Sequence, residues 1–122
     1  METIFFIGRL LLGGYFIYNA YNHFANLKSL TGYAKSKNVP MAREGVLVTG
    51  AMLLLGGVSI LTGLWVLLGL WLLVVFLLAT SVAMHAFWKI TDPMAKMNER
   101  ISFMKNIALA GALLMMIGLI SY

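Results

Sequence analysis

The chain contains no cysteine. That absence removes disulfides, thiol redox chemistry, iron–sulfur ligation and thiolate metal sites from its own chemistry. Acid is scarce: Asp and Glu number 4 against 9 Lys and Arg. Proline occurs only twice, at Pro40 and Pro93. No Ser/His/Asp arrangement, phosphate-binding loop or cluster of metal-ligand residues can be picked out, so no metal is expected. The most consequential absence is of charge, because residues 46–84 carry none.

What is present is apolar. Of 122 residues, 61% are hydrophobic, and the mean hydropathy is +0.91. A water-soluble domain of this size could not hide so much apolar surface. As one helix the uncharged stretch would extend about 58 Å, nearly twice the ~30 Å hydrocarbon core of a bilayer. Folded back once, it makes two spans of ordinary length. The cations fall in two groups that flank it: Lys28, Lys35, Lys37 and Arg43, then Lys89, Lys96, Arg100 and Lys105. Doubling the stretch puts both groups on one side, as the positive-inside rule asks. The expectation is an all-α integral membrane protein of the cell (inner) membrane, an antiparallel four-helix bundle in one domain, 1–122. Spans are expected at about 4–21, 45–61, 65–88 and 103–121, with a tight turn near Thr62, Gly63 and Leu64. Both termini lie outside and the basic loops are cytoplasmic. The first span reads as retained, because Glu2 precedes it, no cation does, and no small-x-small cleavage site follows. The net charge of +5 flanks spans instead of lining a soluble face, so it fits anionic lipid headgroups and not nucleic acid.

The two loops have helical periodicity. Phe24, Leu27, Leu30 and Ala34 recur opposite Lys28 and Lys35. Met94, Met97, Ile101 and Met104 recur opposite Lys96 and Glu99. Each predicts a short amphipathic helix at headgroup level. Asp92 suits an N-cap before Pro93, and both prolines suit the first turn of the helix that follows. Gly50 and Gly57, and Gly111 and Gly118, share a face at a spacing of seven, which predicts close helix packing. The two halves resemble each other, with His23 and His85 at the inner ends of the first and third spans.

Polar residues inside lipid are costly and mark candidate sites. Arg9 lies within the first span, about five residues from its outer end. Two readings stand: a guanidinium reaching outward to headgroups, Glu2 or the terminal carboxylate of Tyr122, or a clamp for an anion or carbonyl facing the bundle. At the inner ends, Asn19 and His23, Arg43 and Glu44, His85 and Trp88, and Lys105 and Asn106 lie at one depth. They converge on a candidate pocket for a polar head whose tail runs into lipid; the alternative is an ordinary interfacial belt. The ligand-binding candidates are therefore Arg9, Asn19, His23, Glu44, His85, Trp88 and Asn106, with no catalytic residue assigned. Two histidines match the count for bis-imidazole haem ligation, but helix-end histidines are common, and no intrinsic cofactor is expected.

Several segments resemble the DoxX-like family. They are Gly8-Arg9-Leu10-Leu11-Leu12-Gly13 with Phe16 and Asn22-His23-Phe24, then Tyr33-Ala34 ahead of Lys37, Val39 and Pro40, then Leu54-Leu55-Gly56-Gly57. Later come His85-x-Phe87-Trp88, Asp92-Pro93, and Phe103-x-Lys105-Asn106 leading into Ala108 to Leu114. After His85, where an acidic or amide residue is expected, the chain has Ala86. The resemblance implies a four-helix membrane bundle tied to quinone-linked redox or oxidative-stress systems, with quinone as the candidate ligand and a redox partner subunit. Other functions in view are a non-catalytic scaffold, assembly factor or lipid-binding protein, and a small dimeric transporter. The transporter reading lacks a carboxylate at any span centre.

Overall fold

A computed structural model describes residues 1–120. The described chain is helical, with α1 Glu2–Ala25, α2 Leu27–Ser36, α3 Ala42–Thr62, α4 Val66–Met84 and α5 Pro93–Ile120, plus one 3-10 turn at Phe87–Lys89. Four of these, α1, α3, α4 and α5, are long and apolar enough to cross a bilayer. Ser121 and Tyr122, the expected end of the last span and the possible partner of Arg9, lie outside the described residues.

The α3–α4 connection falls where the sequence predicts it. Gly63 ends α3 with φ 78 in the left-handed region, and its N–H donates to Ser59 O at 2.9 Å. Glycine takes that conformation at no steric cost, so it stops the helix. Three residues then reverse the chain, and Trp65, also left-handed at φ 54, opens α4.

α1 packs along α3, α3 along α4, and α4 along α5, while α2 lies against α3. The α1–α5 seam is not closed to the same degree, and a crevice bounded by Leu11, Tyr15, Lys105 and Leu109 follows it. Small residues set the tight contacts. A Cβ at Gly13 would stand 3.0 Å from Gly57 O, and one at Gly57 would meet the Ile17 side chain at 2.8 Å. The backbones of α1 and α3 therefore touch, as interfaces in lipid favour. Further along, Gly50 makes room for the side chains of His23 and Phe24. The second glycine pair behaves differently: Gly111 and Gly118 face open space and seat no neighbour. The core is Phe16, Leu53, Leu70, Leu73, Leu77 and Leu113, all almost fully enclosed. Ile4, Leu11, Leu55, Val82 and Leu119 point outward, which is costly in water and neutral in hydrocarbon.

The loops correct two expectations. Only the first amphipathic segment is a separate helix, α2. The second, with Met94, Met97, Ile101 and Met104, forms the opening turns of α5, which runs 28 residues, about 42 Å, without a break. Asp92 caps it, accepting the Ala95 N–H at 2.9 Å, so Pro93 occupies the first turn as expected. Once capped, nothing in the sequence from Pro93 onward stops the helix before it enters the apolar run. Pro40 instead precedes α3 by two residues, and Met41 in the left-handed region starts that helix. The third span runs on past the end of α4 through the 3-10 turn to Lys89, so Trp88 lies at its inner end as expected.

Candidate functional site

α1 and α4 run the same way, so their C-terminal ends meet at the end of the bundle that carries the basic loops. This places His23 and His85 around one cavity. It holds about 280 Å³, is partly open, and is mostly apolar. His23 comes from α1, Tyr33 from α2, Val46 and Thr49 from α3, and Phe76 and His85 from α4 and its cap.

His23 is held from one side. Its Nδ1 lies 3.0 Å from Val46 O and 3.2 Å from Thr49 Oγ1. A carbonyl only accepts, so Nδ1 carries the hydrogen and donates it. The Thr49 hydroxyl donates in turn to Gly45 O at 2.7 Å. The ring stands edge-on to Phe76, with centroids 5.9 Å apart. In the neutral ring, Nε2 is left as an acceptor.

His85 caps α4 and is held by a carboxylate. Its Nδ1 lies 2.7 Å from Glu99 Oε2. The other oxygen of Glu99 accepts the Tyr33 hydroxyl at 2.6 Å, and Lys37 Nζ stands 3.7 Å from it. One carboxylate thus joins α2, the end of α4 and α5. Burial first, then the hydrogen bond to Glu99 and its negative charge, raise the Tyr33 phenol well above its ordinary value, so Tyr33 remains a donor. The missing acid after His85 is supplied from 14 residues further on.

The remaining sequence candidates do not line this cavity. Arg9 is at the opposite end of the bundle. Its Nε donates to Ile60 O at 3.0 Å and its Nη2 to Leu61 O at 2.9 Å. Those carbonyls belong to the last turn of α3, where no intrahelical donor is left for them. Arg9 therefore faces the bundle as a carbonyl clamp, and the carbonyls are the chain's own. Asn19 turns back on its own helix, donating to Tyr15 O at 2.8 Å. Glu44 is exposed in the first turn of α3, where the positive end of the helix dipole favours acid. Trp88 is half exposed, edge-on to Phe87 and Phe103 at 5.4 and 5.5 Å. Asn106 is 6% exposed in the interior of the bundle. Of the basic residues expected at this depth, Arg43 is exposed, and Lys105 stands over the Tyr15 ring at 6.0 Å in the α1–α5 seam. Helix-end residues share a depth but not a direction, which is why depth alone over-collected them.

Sequence reasoning missed Glu99, Tyr33 and Lys37 as site residues. A signal existed. Tyr33 and Lys37 are four apart, on one face of α2 and its C-cap. A tyrosine and a lysine aimed together call for an acid, and the chain has only 4.

No curated protein and no solved structure matches the chain. A family model, DoxX, matches residues 4–86. The matched region takes in Arg9, His23, Tyr33 and His85 and stops before Glu99. It covers well over half of the 122 residues and agrees with the four spanning helices, so this multi-pass membrane protein belongs to the DoxX family.

Proposed function

We propose that the chain is a membrane component of a quinone-linked redox or oxidative-stress system, and that it binds a quinone or a similar lipophilic molecule in the cavity between His23 and His85. One observation carries this reading. Two imidazoles border a single apolar cavity with their Nδ1 atoms already engaged, and each ring keeps its Nε2 for a further partner. An apolar wall with a few convergent polar atoms is how small lipophilic ligands are held and oriented. The cavity volume of about 280 Å³ suits a ring-sized head, and the membrane accommodates a tail.

Imidazole hydrogen-bonds a carbonyl or hydroxyl and exchanges protons near neutral pH. Glu99 orients His85 and balances its charge when the ring is doubly protonated. Without cysteine the chain has no thiol or iron–sulfur chemistry of its own, so we assign electron delivery to a partner subunit. We place the cavity on the cytoplasmic side of the inner membrane, following the basic loops.

The test is to extract the protein from native membrane and identify what co-purifies, by mass spectrometry and absorption spectroscopy. A stoichiometric quinone supports the reading; a phospholipid alone favours a lipid-binding module. His85→Ala is expected to lower the recovered ligand, and equal recovery from both proteins contradicts the assignment. For orientation, Ser36→Cys and Lys96→Cys are expected to resist a thiol reagent that cannot cross an intact cell. Labelling of either one overturns the topology.

A further inference from the structure

The open seam between α1 and α5 carries a cation that the chain itself does not neutralise. From it we infer a binding site for one anionic phospholipid, with its phosphate at Lys105 and an acyl chain in the crevice between the two helices. Lys105 lies well inside α5, which runs from Pro93 to Ile120. A hydrocarbon core of ~30 Å takes about 20 helical residues, so a span ending at Ile120 begins near Ile101. Lys105 then stands about 6 Å inside that boundary, where a lone ammonium is costly. It is exposed on α5, and its Nζ stands 6.0 Å from the centre of the Tyr15 ring. No acid of the chain meets it there. Glu2 and Glu44 sit in the first turns of α1 and α3, and Asp92 caps the start of α5. Glu99 is taken by His85, Tyr33 and Lys37. Among the described residues, no ion pair includes Lys105.

The shape of the seam agrees with its charge. The crevice holds about 370 Å³ and is walled by Gly8, Leu11 and Leu12 of α1 and Leu109 of α5, with Tyr15 and Lys105 completing it. The two helices run in opposite directions, so Tyr15 and Lys105 both mark the end nearer the basic loops, and Gly8 lies deeper. A phospholipid of the leaflet on that side has the same order, with its charge at the boundary and its tail toward the midplane. Gly8 keeps the groove open, since nothing lies within 4 Å of the place its Cβ would take. The lysine stem spans the remaining distance to the boundary, as such side chains do in lipid. An anionic head there supplies the missing counter-charge. A zwitterionic head brings its own cation and supplies none in net. None of these residues lines the cavity of His23 and His85, so this site is separate from it.

The experiment uses the full chain in detergent with equal amounts of dioleoylphosphatidylglycerol and dioleoylphosphatidylcholine, which share acyl chains and differ in net charge. Native mass spectrometry reads which lipid stays bound. The unaltered chain is expected to retain phosphatidylglycerol about fivefold in preference. In Lys105→Met that ratio falls to about one, whereas Lys28→Met and Lys96→Met leave it unchanged. Gly8→Leu fills the crevice without meeting any neighbour in the fold, and retention of both lipids falls. Glycerol 3-phosphate, which is a head without chains, does not displace the bound lipid. Equal retention of the two lipids by the unaltered chain, or an undiminished ratio in Lys105→Met, overturns the inference. So does an equal fall in all three lysine variants, which points to general attraction by the basic loops. Undiminished retention in Gly8→Leu, or displacement by glycerol 3-phosphate, overturns the crevice as the seat of the chain.

Discussion

The two ends of this bundle use polar side chains in opposite ways. At the turn end, Arg9 directs two of its nitrogens to backbone carbonyls of Ile60 and Leu61. Those bonds close off the frayed end of α3 and brace the reversal at Gly63. At the loop end, His23 and His85 each spend one nitrogen on a support while bordering the cavity, and no bond to the other nitrogen is found among the described residues. Both ends carry polar groups that are expensive in lipid. What separates them is the partner. A group bound to main chain secures the fold, whereas a ring anchored through one nitrogen still has an atom to offer. Polarity within a span therefore identifies a site only after the supports have been subtracted.

Substitutions at the two ends should separate stability from ligand affinity. The largest effect belongs to the turn end. Arg9→Leu leaves two carbonyls of α3 without their donor and is expected to cost about 3 kcal/mol, read as a lower unfolding temperature in detergent. Ligand affinity of the fraction that remains folded should be unchanged. A loss of affinity at undiminished stability would erase the contrast. At the loop end the order reverses. Glu99→Gln should reduce ligand affinity about tenfold with a smaller change in unfolding temperature, since the His85 ring loses its charged support but the helices keep their packing. Tyr33→Phe removes one hydrogen bond to that carboxylate and should cost about 1 kcal/mol in stability, with ligand affinity reduced less than by Glu99→Gln. Lys28→Ala, at an exposed position on α2, should alter neither measurement. If it weakened binding as much as Glu99→Gln, general attraction to the basic loop would replace the cavity as the explanation.

The architecture was open to reading because each cue was local or additive. A charge-free stretch too long for one crossing had to fold back, and the glycine near its middle marked where. The pairing of His23 with His85 followed from both standing at the ends of helices running the same way. The site's other half was hidden for a physical reason. Glu99 sits 14 residues from His85 and 66 from Tyr33, and only the packing of α2 and α5 around the end of α4 brings them together. Its position among Lys96 and Arg100 made it look like part of a solvated polar face. Arg9 was ambiguous for the converse reason. Its partners are carbonyls, which every residue carries, so no side-chain pattern announces them. Likewise Asn19 and Glu44 share the depth of His23 but face their own helix or the outside.

The unbroken run of α5 links distant parts of the molecule. The carboxylate that steadies His85 rides on the same rigid rod as Leu113 and Ile117, deep in the bundle. Any tilt or axial slide of that rod, whether imposed by bilayer thickness or by a neighbouring subunit, carries Glu99 with it. The imidazole would then lose its brace before any wall of the cavity had moved, because α5 holds His85 without lining the cavity itself.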